Sequence, residues 1–81
     1  MRITIKFFAS VRENLGIPSA EIEIPPGATV ADCLQVLKQN FPLLRSYHSS
    51  LSIAVNQEYA FLENKLSEGD EVALIPPVSG G

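Results

Sequence analysis

Apolar residues alternate with polar ones at the start of the chain, and this pattern limits the possible folds more than any other feature. Within residues 2–9, Ile3, Ile5 and Phe7 fall on one face of an extended chain. A period of two residues is typical of a β-strand that buries one face. Three further segments are predicted to be strands, namely residues 20–24, residues 51–55 and the strongly apolar residues 71–75.

One segment has helical spacing instead of alternation. Its apolar stripe consists of Val30, Cys33, Leu34, Leu37 and Phe41. Thr29 is a favourable N-cap, Asp32 forms a capping-box-like pair with it, and Pro42 ends the helix. A shorter helix is predicted over residues 11–15, with Gly16 at its end.

The order of these elements is strand, strand, helix, strand, strand. It predicts one α+β domain, with the main helix packed on one face of a sheet and the other face partly open. Residues 43–50 are expected to be loop or frayed helix, and residues 59–66 carry no clear signal. A chain of 81 residues is long enough to form a single core without metals or disulfides.

Composition excludes several classes of function. Six Lys and Arg against nine Asp and Glu give a net charge of −3, which argues against binding to a phosphate backbone. The apolar runs are too short to span a membrane. A single cysteine rules out a disulfide framework and a cysteine-ligated zinc site. We therefore expect a soluble, cytoplasmic protein with no metal site and no nucleic-acid or membrane partner.

The C-terminal residues have an unusual composition. Pro76 and Pro77 cannot donate to a strand ladder, so sheet pairing must stop there. The expected division is a body at residues 1–76 and an extended tail at residues 77–81. Because glycine has no Cβ, Gly80 and Gly81 could pass through a channel too narrow for other residues. The alternative is a terminus without function, which most chains have.

The carboxylate of Gly81 is the candidate reactive group. A terminal carboxyl has a pKa of about 3.5, so it is ionised and inert as an acyl donor at neutral pH. Adenylation by ATP would activate it, and attack by sulfur would leave a thiocarboxylate on an unhindered stalk. Cys33 is expected to be a buried thiol rather than a persulfide carrier. His48 has no neighbouring Cys or second His and is expected in a surface loop.

Three motifs are distributed from the start of the chain to its end. Residues 5–13 (IKFFASVRE), residues 54–57 (AVNQ) and residues 69–81 (GDEVALIPPVSGG) resemble the small, sulfur-carrier subunit of molybdopterin synthase. The resemblance implies a β-grasp (ubiquitin-like) fold with a mixed sheet, in which the first and last strands are adjacent and parallel.

The resemblance also implies a function. In that family an activating enzyme uses ATP to adenylate the terminal glycine, here Gly81, and a sulfur-donor enzyme supplies the sulfur for a thiocarboxylate. The tail, here Pro77, Val78, Ser79 and Gly80, enters the large subunit. Sulfur then passes to cyclic pyranopterin monophosphate to form the molybdopterin dithiolene. The large subunit supplies the catalytic side chains, two copies of each subunit form the usual heterotetramer, and the small subunit binds no cofactor.

An apolar patch is predicted where the tail leaves the body. Phe8 shares the register of Lys6, and Ile75 shares that of Ala73, so both should point to the open face of the sheet. If the first and last strands are parallel neighbours, Phe8 and Ile75 lie at the same end, and Tyr59 is a third candidate member. Exposed apolar clusters of this kind are typical of docking surfaces. The alternative is that a twist or bulge buries them.

Three other functions are compatible with the residues. A thiamine-pathway sulfur carrier shares the fold and the Gly-Gly end, although its tail lacks the Pro-Pro-Val-Ser stem. A protein modifier would join Gly81 to a target lysine by an isopeptide bond. A plain interaction module would tolerate the loss of Gly81.

Overall fold

The helices and strands follow the sequence patterns closely. The computed structural model describes residues 1–47 and 50–77. In chain order the elements are β1 (Arg2–Phe7), α1 (Ala9–Leu15), β2 (Ser19–Glu23), α2 (Val30–Asn40), a 3₁₀ helix (Pro42–Tyr47), β3 (Ser52–Val55), β4 (Glu58–Tyr59) and β5 (Glu71–Ile75). In the described part of the chain, no helix is long and apolar enough to cross a membrane.

The strands form one mixed sheet in the order β2-β1-β5-β3-β4. β1 and β5 are parallel neighbours at its centre, with Thr4 opposite Glu71 and Lys6 opposite Ala73. The pairs β1 with β2, β5 with β3, and β3 with β4 are antiparallel. The expected parallel pairing of the first and last strands is therefore confirmed. With α2 across one face, this is the β-grasp arrangement.

The sequence predicted four strands, and the fifth strand, β4, is a correction. Asn56 and Gln57 have positive φ angles of 51° and 73° and turn the chain back from β3 into β4. The short hairpin pairs Ala54 with Tyr59 and Val55 with Glu58. A strand of two residues is too short for a period-two pattern to show in the sequence.

The predicted capping box begins α2. The Asp32 amide donates to Thr29 Oγ1 at 3.3 Å, and the Thr29 amide donates to Asp32 Oδ2 at 2.9 Å. The first two amides of the helix donate to the carbonyls of Asn64 and Leu62, at 2.9 and 3.0 Å. The loop before β5 is thus attached to the helix N-terminus. The shorter predicted helix is present as α1 and ends at Gly16, whose φ is 77°.

The core lies between α2 and the sheet. From the two central strands it contains the buried residues Ile3, Ile5, Phe7, Val72 and Leu74. From α2 it contains Val30, Cys33 and Leu37, each fully buried, whereas Leu34 and Phe41 are half-buried at its border. The predicted stripe is therefore confirmed, but its buried centre lies on the Cys33 side rather than at Leu34.

Residues 42–47 form a 3₁₀ helix where the sequence suggested loop or frayed helix. Leu44 in this segment is 1% exposed and joins the core. The Tyr47 hydroxyl accepts a hydrogen bond from Asn14 Nδ2 at 2.8 Å and lies 3.1 Å from Ser10 Oγ, so this segment is tied to α1. His48, expected in a surface loop, lies outside the described residues.

Candidate docking face and carrier tail

The face of the sheet opposite α2 has a floor of small side chains. The strand registers place Lys6, Ala73, Ala54 and Tyr59 side by side across β1, β5, β3 and β4. The two alanines in the middle of this row leave the floor low. Larger side chains at its borders therefore stand above the floor and enclose a hollow.

A depression of about 290 Å³ occupies this face, and the three predicted interface residues meet there. Phe8, Tyr59 and Ile75 line it together with the floor residues Ala54 and Ala73. Tyr59 is 79% exposed and Phe8 is 47% exposed, whereas Ile75 is half-buried. No twist or bulge has buried the two aromatic side chains. Apolar groups held open to solvent around a hollow are typical of docking sites.

Phe8 owes its orientation to the junction between β1 and α1. Its backbone is still extended, with φ −124° and ψ 154°, so its side chain continues the alternation of β1 and follows Lys6. Ala9 then turns the chain with a φ of 49°. The amides of Val11 and Arg12 both donate to the Phe8 carbonyl, at 3.1 and 3.4 Å. The start of α1 thus fixes the backbone of Phe8.

Ile75 brings the depression next to the two prolines. It is the last residue of β5 and lies opposite Ser52 of β3. Pro76, the next residue, is buried, and Pro77 is exposed. The predicted tail residues Val78, Ser79, Gly80 and Gly81 lie outside the described residues.

Charged side chains lie beside the ring of Phe8. A second depression, of about 400 Å³, includes Phe8 together with Lys6, Arg12 and Glu71. Gln57 lines both depressions. Arg12 and Gln57 were not predicted to lie at this face, because only the fold brings the turn after β3 close to the start of α1.

A larger groove, of about 440 Å³, lies at the β4 edge of the sheet. Its lining includes Leu34 of α2 and the loop residues Phe61 and Leu62, which are 73% and 52% exposed. The sequence missed these two residues because residues 59–66 show no periodicity. Tyr59 lines both this groove and the smaller depression, whereas Phe8 and Ile75 line only the latter. The smaller depression is therefore the better candidate for a site that works with the tail.

Cys33 is fully buried, and burial raises the pKa of its thiol to about 11. A thiol that is shielded and protonated at neutral pH is a poor nucleophile, so the prediction of a core cysteine is confirmed. Within residues 1–47 and 50–77, no group of three or more His, Cys, Asp or Glu side chains could hold a metal ion.

Comparison with known proteins gives a consistent assignment, since residues 5–81 match the ThiS family. The chain belongs to the ThiS family. A molybdopterin synthase sulfur carrier subunit from Arabidopsis thaliana is 37% identical over this whole chain and 84% of its own length. One from Chlamydomonas reinhardtii is 40% identical over the full length of both chains. These relatives confirm the resemblance found in residues 5–13, 54–57 and 69–81.

Solved structures of similar proteins confirm the β-grasp fold of this ThiS-family chain. SAMP1 from Haloferax volcanii superposes with a TM-score of 0.92 at 32% identity, with both chains covered completely. A chain from the complex of subunits 1 and 2 of the molybdopterin-converting factor of Helicobacter pylori gives a TM-score of 0.73 at 26% identity, again with both chains covered completely. That second protein is therefore known in a two-subunit assembly.

Proposed function

We propose that this ThiS-family chain is the sulfur-carrier subunit of molybdopterin synthase. The observation that carries the proposal is the position of the apolar depression, since its lining residue Ile75 is followed directly by Pro76 and then by Pro77, where the tail begins. A carrier needs a surface that enzymes can hold and a reactive end that reaches beyond that surface. The names of the relatives from Arabidopsis and Chlamydomonas support the same function.

The reactive end in this proposal is the carboxylate of Gly81. An activating enzyme uses ATP to convert it to an acyl adenylate with release of pyrophosphate. Sulfur at the oxidation level of hydrosulfide, supplied by a donor enzyme, then displaces AMP and leaves a thiocarboxylate. Each thiocarboxylate then delivers one sulfur atom to cyclic pyranopterin monophosphate and is hydrolysed back to the carboxylate, so two carrier molecules supply the two sulfur atoms of the molybdopterin dithiolene. The chain holds no resident cofactor in this scheme, and the thiocarboxylate is a modification of its own terminus.

Pro76 and Pro77 suit the junction between a folded body and a tail that carries the reactive end. Buried Pro76 and exposed Pro77 support a division between a body at residues 1–76 and a tail at residues 77–81. Proline fixes φ and has no N–H to donate, so Pro76 and Pro77 are stiff and cannot extend the strand ladder. Val78 and Ser79 then lead to Gly80 and Gly81, which have no Cβ to obstruct a narrow channel.

The partner that we assign to the depression is the large subunit of molybdopterin synthase. The Helicobacter pylori assembly of subunits 1 and 2 supports this assignment, because one of its chains shares the fold of this protein over its whole length. The large subunit contributes the catalytic side chains, and two copies of each subunit form a heterotetramer. The activating enzyme and the sulfur donor are further partners, and the cytoplasm remains the predicted compartment.

Intact mass measurement on protein purified from its native host tests the carrier chemistry. A fraction of the molecules should carry sulfur in place of one oxygen at the C-terminus. The same measurement on a variant that lacks Gly81 should show no such fraction. Equal sulfur incorporation in the two proteins would overturn the proposal.

A binding titration with the large subunit tests the docking face. Phe8→Ser and Ile75→Ser should each weaken binding by about tenfold or more, because both remove apolar contact at the border of the depression. Leu43→Ser is a matched control, since Leu43 is 56% exposed and lines neither depression. Equal affinities for all three variants would show that the face is not the interface.

A role as a protein modifier is a second candidate. It is favoured by the superposition with SAMP1, since chains of this fold include one described as a small archaeal modifier protein. In that role the Gly81 carboxyl would form an isopeptide bond with a lysine of a target protein. An immunoblot that shows a ladder of larger conjugates, lost on deletion of Gly81, would support it. A single band at the size of the free chain would count against it.

A further inference from the structure

Gln57 has a backbone conformation that disfavours its residue type. It occupies the second position of the turn between β3 and β4 with a φ of 73°, directly after Asn56 with a φ of 51°. Two-residue hairpin turns with positive φ at both positions form most readily from Asn followed by Gly. Glutamine carries a Cβ that crowds the backbone in this region and lacks the short polar side chain that helps asparagine. The presence of glutamine therefore needs a reason beyond the turn itself.

The fold explains Asn56 but not Gln57. Asn56 Nδ2 donates to Asp70 Oδ1 at 3.0 Å, and Asn56 Oδ1 accepts from the Glu71 amide at 3.0 Å. The Asn56 amide also donates to the Glu71 carbonyl at 2.8 Å. These bonds tie the turn to the start of β5. Gln57 is exposed, and its side chain makes no hydrogen bond with another residue of segments 1–47 and 50–77.

Gln57 lies between two depressions on the surface. It lines the depression with Tyr59 and Ile75, and it also lines the neighbouring one with Lys6 and Arg12. Gln57 therefore lies on the border that the two hollows share. A primary amide supplies two donor hydrogens and one acceptor oxygen, which is the complement that a peptide group or a polar side chain of another protein requires.

We propose that Gln57 is a polar contact residue of the docking face and that its side-chain amide hydrogen-bonds to the large subunit. This inference rests on the proposed function, since it takes the large subunit as the occupant of the depression. Backbone strain of this kind persists at functional sites where the surrounding structure enforces it. Here the bonds of Asn56 to Asp70 and Glu71 enforce the turn, and the complex uses the glutamine side chain.

Two substitutions at this position test the inference by calorimetric titration with the isolated large subunit. Gln57→Gly removes the amide and relieves the strained φ, and Gln57→Ala removes the amide without adding a flexible glycine. Both should lower the affinity about threefold to tenfold, the effect of one lost hydrogen bond. The thermal midpoint of Gln57→Gly should equal or exceed that of the wild type. Gln39→Ala is the matched control, because it removes an exposed glutamine amide from α2 and should leave the affinity unchanged.

Titration of Phe8→Ser in the same series distinguishes a failure of the Gln57 contact from a failure of the proposed function. If Phe8→Ser weakens binding and both Gln57 variants bind like the wild type, the Gln57 contact is wrong and the docking face stands. A loss of affinity in Gln57→Gly alone would assign the effect to chain flexibility and would also overturn the contact. A lower thermal midpoint for Gln57→Gly would show that Gln57 serves the fold. Absence of binding by the wild type would overturn the proposed function and the contact together.

Discussion

At the scale of the residue, Cys33 shows how surroundings decide chemistry. Its thiol is fully buried and its pKa is raised to about 11, because burial disfavours the thiolate. In this environment the side chain acts as a small apolar group of the core. The one cysteine of the chain is thus unsuited to carry sulfur, which is consistent with the role proposed for the terminus.

The raised pKa predicts a loss of stability at alkaline pH. The unfolded thiol titrates near 9.0 and the folded one near 11, so below pH 9 both states keep the proton and the thiol contributes no pH dependence. Between these values the unfolded state loses its proton first, and the free energy of unfolding falls as pH rises. Denaturant unfolding from about pH 7 to about pH 11 should show this decline in the wild type relative to Cys33→Ala. A difference between the two proteins that stays constant with pH would contradict the prediction.

At the scale of the element, two leucines on the apolar stripe of α2 differ in how deeply they are buried. Leu37 is fully buried, whereas Leu34 is half-buried and lines the groove at the β4 edge. The sequence alone would predict a large loss on truncation of Leu34. The structure indicates that the larger loss of stability belongs to Leu37, because a cavity forms only where atoms surround the side chain on every side.

Leu37→Ala should therefore lower the free energy of unfolding by about 2–5 kcal/mol. Leu34→Ala, which leaves a hollow open to solvent, should cost about half of that or less. Chemical denaturation of the two variants under the same conditions measures both values. Equal losses would contradict the deeper burial of Leu37 relative to Leu34.

The capping box of α2 gives a second prediction at this scale. Thr29→Ala removes the acceptor of the Asp32 amide, so it should destabilise the protein by about 1 kcal/mol. Thr29→Ser keeps the hydroxyl and is the control. Thermal unfolding of the two variants should differ, and indistinguishable midpoints would show that the hydroxyl contributes nothing.

At the scale of the whole molecule, the proposed function assigns stability and activity to different parts of the chain. The core, the sheet and α2 all belong to the body, and the reactive carboxylate belongs to the tail. Changes at the last two residues should therefore leave folding and docking intact. They should affect only the chemistry that takes place in the active sites of partner enzymes.

Deletion of Gly81 shortens the tail by one residue, about 3.5 Å, which is too much for a reacting carbon in a positioned site. Gly80→Val should fail for a different reason, because a β-branched side chain restricts the backbone and fills a narrow channel. Both variants should stay within about 0.5 kcal/mol of wild-type stability and still bind the large subunit. Neither should support dithiolene formation in an assay with precursor and large subunit.

A chemical control changes no residue at all. Conversion of the terminal carboxylate to an amide should abolish adenylation while the thermal midpoint stays the same. If the amidated protein or the protein without Gly81 supported precursor turnover at the normal rate, the terminus would be a bystander.

From the sequence alone, the candidate reactive group and all local elements except β4 and the 3₁₀ helix could be predicted. The alternation of Ile3, Ile5 and Phe7 predicted β1, and Thr29 with Asp32 predicted the start of α2, because each pattern lies within one segment of chain. The Pro-Pro stem and the glycines beyond it were equally visible, since they follow one another directly. With the resemblance to a family, these patterns led to the β-grasp fold that the structure confirms.

The structure adds Gln57 to a candidate docking face for which the sequence had already indicated Phe8, Ile75 and Tyr59. Phe8, Gln57 and Ile75 come from three distant segments, and they meet because β1, β5 and β3 pair in one particular register. Likewise β4 exists because the turn at Asn56 is hydrogen-bonded to the start of β5. Register and turn geometry depend on contacts between strands far apart in the chain, and no local pattern of residues contains them.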